Sequence, residues 1–454
     1  MLHFVPMDSE NNLIREPIPK LIKQISVPVM IGFFFNTMFN VVDTYFGGKI
    51  STQALAALSL SFPVFFLIII FDSGISTGTT AVIANALGAG EREKAKKYAA
   101  QSISFAFIVS IFVTIFGLIV SPSIFRLLGA KEAYLSLSLS FMNVIFYGSV
   151  FFLMISVMNS VLQATGNTKP YRNFLIAGFF LNIIFNPWFL YGGFGIPAMG
   201  LAGVALSTVA VEIIGTVYIF WTSLKTGLIT KETWHLLWPE KEAYRDIAGQ
   251  AVPASLNLAT VGIGVFVITY FISHFGENAV ASYGIATRIE QIALLPTIGF
   301  TIACLTIIGQ NNGAGKLDRI RETLKRCLAY GLGVMAIGAV LIFAFSKPLM
   351  GFFTKDAVIV AMGSHYLIFA ACTFLAYAIL FISVSALQGM KKPLYAVWIG
   401  LFRQIAAPFV FFGLCIYTLH TNIDGIWWGI VLINWLAAIV TILYVRRVFK
   451  KKGI

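Results

Sequence analysis

Residues 21–48 read LIKQISVPVMIGFFFNTMFNVVDTYFGG, an apolar run with a single aspartate, Asp43, near its far end. The run is longer than the ~20 residues a helix needs to cross a bilayer. A carboxyl inside that run costs at least ~2.5 kcal/mol on insertion scales. On a helix advancing ~100° per residue, Asn36, Asn40 and Asp43 fall within about 60° of arc. The first helix therefore carries one polar stripe that ends in an ionisable group. Intramembrane acids mark ion or substrate pathways by default, so Asp43 is the leading candidate site residue.

Eleven further apolar runs follow, at about 53–87, 98–121, 133–163, 172–192, 198–224, 247–275, 279–310, 326–346, 357–388, 394–419 and 425–445. Only 11% of the 454 residues are charged and 58% are hydrophobic. A soluble domain carries about 25% charged residues, so the chain reads as an all-α polytopic membrane protein. The polar start (Asp8, Glu10, Arg15, Glu16) is unlike a cleavable signal peptide, and the first run is too long for one. Cys304, Cys327, Cys372 and Cys415 lie in apolar runs without CxxC spacing and read as small core residues.

The net charge of +13 is a matter of topology rather than of nucleic acid. With the N-terminus placed in the cytoplasm, 25 of the 32 Lys and Arg residues fall in cytoplasmic segments and 5 outside. That bias predicts a plasma (inner) membrane protein with both termini cytoplasmic. It leaves Arg288 and Arg403 within apolar spans.

The chain is also written twice. Val27–Pro28 recurs as Val252–Pro253, Thr44–Tyr45–Phe46 as Thr269–Tyr270–Phe271, and Gly88–Ala89–Gly90 as Gly313–Ala314–Gly315. Ser160, Leu162 and Gln163 recur as Ser385, Leu387 and Gln388, and Gly200 as Gly425, always at an offset of 225. Each half holds six spans, so both face the same way, as in a parallel repeat. The expected fold is two pseudo-symmetric six-helix bundles, residues 1–224 and 247–454, joined by a polar cytoplasmic linker at 225–246. Two like-oriented lobes suit alternating access. The polar stripe is absent from the second half: Asn36, Asn40 and Asp43 map to Val261, Val265 and Ile268.

Other polar groups fall inside the spans. Pro28 removes a helical hydrogen bond and is a candidate hinge. Asp72 is a second acid of the first half, able to join Asp43 or to cap a helix break near Gly74 and Gly78. Asn182 and Asn186 share a face of the fifth span, followed by Pro187, which is expected to interrupt the helix. Two amides and a freed carbonyl facing Asp43 would form a hard oxygen site for Na⁺, or a hydrogen-bonded proton site. Thr208 and Glu212 share a face of the sixth span. Asn159 and Gln163 read as interhelical packing residues. Arg288 and Glu290 are the main ionisable pair of the second half, with Arg403 in the eleventh span, and read as a structural or gating ion pair. The 42 Phe residues suit an apolar cavity for cationic, lipophilic ligands. No nucleotide-binding loop, HExxH or GxSxG occurs, so no enzyme activity and no cofactor is expected, and an ion gradient must supply the energy.

Several of these features carry a resemblance: Val27–Pro28 with Asp43 and Gly47, the Gly-Ala-Gly turns, and the turn Gln163–Ala164–Thr165–Gly166–Asn167–Thr168. On them the whole chain resembles the multidrug and toxic compound extrusion (MATE) family and is most similar to its DinF-like branch. The resemblance implies drug efflux by antiport against H⁺ or Na⁺. It implies a cation site on Asp43, Asn182 and Asn186, the last standing where such members often have a second aspartate. Acids that the NorM-like branch would place on helices 7 and 10 are missing. The expected partners are small cationic or lipophilic substrates and membrane lipids, with the protein a monomer. No metal is expected to bind tightly, with Na⁺ at Asp43 the candidate ion. The alternative is a flippase for lipid-linked precursors.

Overall fold

The computed structural model describes residues 12–193 and 195–453. Among these residues the chain is helical and forms no β-strand beyond one isolated bridge between Gly193 and Ile196. The first half runs through α1 (Ile18–Ile50), α2 (Thr52–Gly88), α3 (Arg92–Leu127), α4 (Glu132–Tyr147), α5 (Ser149–Ala164), α6 (Lys169–Tyr191) and α7 (Gly200–Leu224). The second half follows with α8 (Lys241–Ser273), α9 (Glu277–Gly313), α10 (Leu317–Phe353), α11 (Ala357–Gly389), α12 (Leu394–Thr418) and α13 (Ile423–Lys452). Among the described residues eleven helices are long and apolar enough to cross a membrane, and α4 with α5, bent by 44°, makes a twelfth if the pair is one span.

The duplication is visible helix by helix. The helices α1 and α8 are 33 residues each, and α2 and α9 are 37 each. Both Gly-Ala-Gly turns end their helices in the same way. Gly90 and Gly315 adopt φ of +77° and +66°, a conformation open to glycine at no steric cost. The following amides, Glu91 N and Lys316 N, return to Ala86 O and Asn311 O at 3.0 and 2.9 Å. This is the six-to-one bond of a Schellman cap.

The expected fourth run, 133–163, is not one straight helix. Thr114 Oγ1 on α3 lies 3.0 Å from the carbonyl of Phe146, 2.9 Å from that of Ser110 and 2.7 Å from the Ser149 hydroxyl. A side chain that takes a ladder carbonyl in this way bends a helix. Gly148 sits at the bend, and a Cβ there would meet Val209 at 2.4 Å.

The chain divides into two units. One is Val27–Ser255; the other combines Leu13–Ser26 with Leu256–Ile454. In the second unit the start of α1 is sealed by buried Ile18, Leu21, Ile22 and Ile25. Asn311, Lys316 and Arg319 hold the carbonyls of Leu13, Ile14 and Glu16 there, at 2.7–3.2 Å. In the first unit the polar stretch 225–246 is tied to α3. Gln101 accepts from Glu240 N at 2.9 Å and donates to the carbonyls of Trp238 (2.7 Å) and Leu236. Lys97 pairs with Glu240, and Tyr98 donates to Asp246. The beginning of α8 then presses on α2: a Cβ on Gly74 would lie 1.9 Å from Ser255 Oγ, and one on Gly78 would lie 2.7 Å from Ala251 N. These glycines mark a close helix approach, not a helix break, because α2 is continuous through them. Pro28 likewise lies inside a continuous α1, and Pro187 inside a continuous α6.

Candidate functional site

In the first unit three side chains converge on Asp43. Asn182 and Asn186, one turn apart on α6 and both fully buried, donate from Nδ2 to Asp43 Oδ1 at 2.8 Å each. Thr208 on α7 lies 3.2 Å from Asp43 Oδ2 and 3.3 Å from the carbonyl of Val204. Its single hydroxyl proton therefore has two acceptors. Spacing explains the convergence: residues four apart on a helix share a face, so Asn182 and Asn186 reach one carboxylate oxygen together.

Every group hydrogen-bonded to this carboxylate is neutral. Hydrogen bonds to an ionised group contribute about 1.5–3 kcal/mol each, well short of the cost of stripping a carboxylate of water. The two amide oxygens, Asn182 Oδ1 and Asn186 Oδ1, are buried without a partner. Rotating either amide by 180° would present an oxygen in place of the NH₂ group. The same four side chains can thus offer donors to a bare carboxylate or hard oxygens to an alkali cation. Among the described residues no three His, Cys, Asp or Glu side chains gather, which is the pattern a transition metal would need.

Asn36 and Asn40 share the α1 stripe but do not bond to Asp43. Asn40 Nδ2 donates to the carbonyl of Asn36 at 2.8 Å, within the same helix. Asp72 makes a separate centre, bonded to Ser156 on α5 and within electrostatic reach of Glu212 and Tyr171. Asp72 Oδ1 and Glu212 Oε2 are buried without hydrogen-bond partners. The approach of Asp72 to Glu212 spans α2 and α7 and left no trace in local spacing. Asn159 and Gln163 are buried in α5.

In the second unit Arg288 and Glu290 do not pair. Two residues along a helix turn a side chain through about 200°, so the two point to opposite faces. Arg288 is exposed, and Glu290 is buried at 7%. Glu290 instead accepts hydrogen bonds from Tyr366 (2.8 Å) and Tyr377. It shares a cavity with Arg403, Gln404 and Asn434. The two tyrosines were hidden among the many aromatics of the sequence.

The cavity occupies the repeat-related place of the Asp43 site. Ile268 and Ile433, which line it, stand 225 residues after Asp43 and Thr208. One bundle thus builds a polar centre from Asp43 on its first helix, and the other from Glu290 on its second.

Comparison with known proteins agrees with this duplication. The MatE family model matches residues 28–188 and 253–412, the two stretches beginning at the repeated prolines. The probable multidrug resistance protein YoeA of Bacillus subtilis is 26% identical over 435 residues, covering 94% of this chain and 93% of its own. The FAD transporter of Shewanella oneidensis is 25% identical over 425 residues, covering 92% of each. A solved structure described as the outward-facing conformation of a multidrug resistance MATE family transporter of the MOP superfamily superposes with a TM-score of 0.89. It is 25% identical and covers 98% of both chains. Twelve spans in two repeated bundles and a family match to both halves lead to one conclusion: the chain belongs to the MatE family, whose members are transporters and not enzymes.

Proposed function

We propose that the chain exports lipophilic or cationic drugs in exchange for H⁺ or Na⁺ taken up at Asp43. The observation that carries this reading is a membrane-embedded carboxyl held only by neutral groups, Asn182, Asn186 and Thr208. Such a carboxyl gains most from a cation that arrives from outside the protein.

A proton is accommodated without moving the helices. Asp43, once protonated, donates to Thr208 Oγ1, and Thr208 turns its own proton to the Val204 carbonyl, which already lies 3.3 Å away. Na⁺ is accommodated by rotating the two amides. In either case the neutralised Asp43 no longer holds the Asn donors as tightly, and α1 and α6 come free to rearrange. Pro28 lacks the N–H that would tie it to Gln24, so α1 is weakest there and serves as the hinge. The ion drives the cycle only because it prefers one state of this site over the other.

In this reading the two halves take part in alternating access, with both termini cytoplasmic. The test is drug accumulation in inverted membrane vesicles under an imposed pH or Na⁺ gradient. Gradient-driven accumulation by the wild type and none by Asp43→Asn is expected. Full accumulation by Asp43→Asn would remove the mechanism. Offering FAD to the outside of the same vesicles tests the substrate named for the Shewanella relative.

A further inference from the structure

The second-unit cavity gathers oxygen ligands: the Glu290 carboxylate, the Asn434 and Gln404 amides, and the phenols of Tyr366 and Tyr377. That set suits an alkali cation. Arg403 stands among these groups. Its Nη1 donates to Asn434 Oδ1 at 2.9 Å. The amide cannot readily turn away, because Asn434 Nδ2 is committed to the Ile430 carbonyl at 2.7 Å. The guanidinium carbon lies 5.5 and 5.8 Å from the ring centres of Tyr377 and Phe381, within cation–π range. A π-helical turn, Phe402–Ala406, carries both Arg403 and Gln404 onto the cavity wall. Such turns inside α-helices are frequent at functional sites.

Among the described residues the bond to Asn434 is the only hydrogen bond of the Arg403 side chain, and no ion pair within 4.0 Å joins it to Glu290. A guanidinium has five N–H donors, so four find no protein acceptor. An arginine placed to maximise its own pairing would close on Glu290. This one instead lines the same cavity as the carboxylate and bonds to the Asn434 amide. The repeat sharpens the contrast. The first-half position 225 residues before Arg403 is Gly178, one turn from Asn182 and without a side chain.

We propose that the second bundle contains a monovalent-cation site plugged by the chain's own Arg403. The guanidinium supplies the positive charge that the Asp43 site must take from solution, and it uses the amide oxygen that a Na⁺ ion would use. The plug silences the second bundle towards external cations and leaves one ion-responsive centre of this kind, in the first bundle. This goes beyond the Asp43 reading and does not depend on it, since a plugged second site is compatible with any role of the first.

The test is Na⁺-dependent thermal stability of the full-length protein in detergent, with NaCl replaced by choline chloride at constant ionic strength. All variants carry Asp43→Asn, which removes the first carboxylate. Asp43→Asn alone is expected to show no Na⁺-dependent rise in Tm. Adding Arg403→Gln opens the site and produces a rise of a few degrees, and adding Glu290→Gln to that pair abolishes it. A folded Asp43→Asn, Arg403→Gln protein that ignores Na⁺ overturns the proposal. Should Arg403→Gln not fold, Asp43→Asn and Asp43→Asn, Glu290→Gln still test it. A response that needs Glu290 while Arg403 is in place overturns the plug. The Asp43 reading is judged separately, by transport in vesicles.

Discussion

Asp43 and Glu290 are both membrane-embedded carboxyls, one in each bundle, and their surroundings differ in one respect. Asp43 is met by two amides and a hydroxyl, all uncharged. Glu290 is met by two phenols and shares its cavity with a guanidinium. The first has no built-in counter-charge and the second has one. Two bundles of the same architecture thus differ at a few positions, and those positions leave one carboxyl among neutral groups and the other beside a guanidinium.

The largest effect that can break this comparison is at Asp43. Asp43→Asn keeps the shape and removes the charge that an ion must find. Ion-driven efflux is expected to fall by ~100-fold or more, because a ligand with no preference between states drives nothing. Fluorescent-substrate efflux in vesicles measures it. Next come the amides. Asn182→Ala or Asn186→Ala removes one hydrogen bond to a charged group, about 1.5–3 kcal/mol or roughly 10–100-fold in ion affinity. The sign of that change identifies the ion. With H⁺, loss of a donor to the ionised form moves the pH profile of transport upward. With Na⁺, loss of an amide oxygen raises the Na⁺ concentration needed for half-maximal transport.

Thr208→Val should cost less, about 2–10-fold, since the one hydroxyl proton is shared with the Val204 carbonyl, which brings its contribution down to about 0.5–1.5 kcal/mol, that of an ordinary hydrogen bond. The smallest effect is expected at Glu290. Glu290→Gln should leave the ion dependence of efflux within about 2-fold of wild type, matched to expression level, because surroundings away from the coupling site add nearly independently. A collapse of ion coupling in this variant would place the second bundle in the cycle and end the contrast.

Much of this was legible in the sequence, for identifiable reasons. Hydropathy reports what a bilayer demands of each span, and so the twelve runs stand out. The duplication is carried by residues under backbone constraint, such as Gly90 and Gly315 at positive φ, which change little between copies. The four-residue spacing of Asn182 and Asn186 puts them on one helix face, and the family resemblance, not the spacing, implied that this face meets Asp43. Other features depend on which helices meet, and local spacing carries no record of that. The bend at Gly148 arises from Thr114 on another helix. Asp72 and Glu212 approach from α2 and α7. Glu290 turned away from its sequence neighbour Arg288 and found Tyr366, Tyr377 and the Arg403 cavity, because residues two apart on a helix cannot face the same interior. The stretch 225–246 is polar in composition yet tied to α3 by Gln101, whose partners are backbone groups that no side-chain pattern reveals.

The most direct measurement is made in liposomes containing the purified protein, first with a pH gradient and then with a Na⁺ gradient, before and after adding a cationic drug. The wild type is expected to dissipate one of the two gradients when drug is added, and Asp43→Asn neither. Drug-triggered dissipation of the same size in Asp43→Asn would show that the ion crosses elsewhere, and the role assigned to the first bundle would fall.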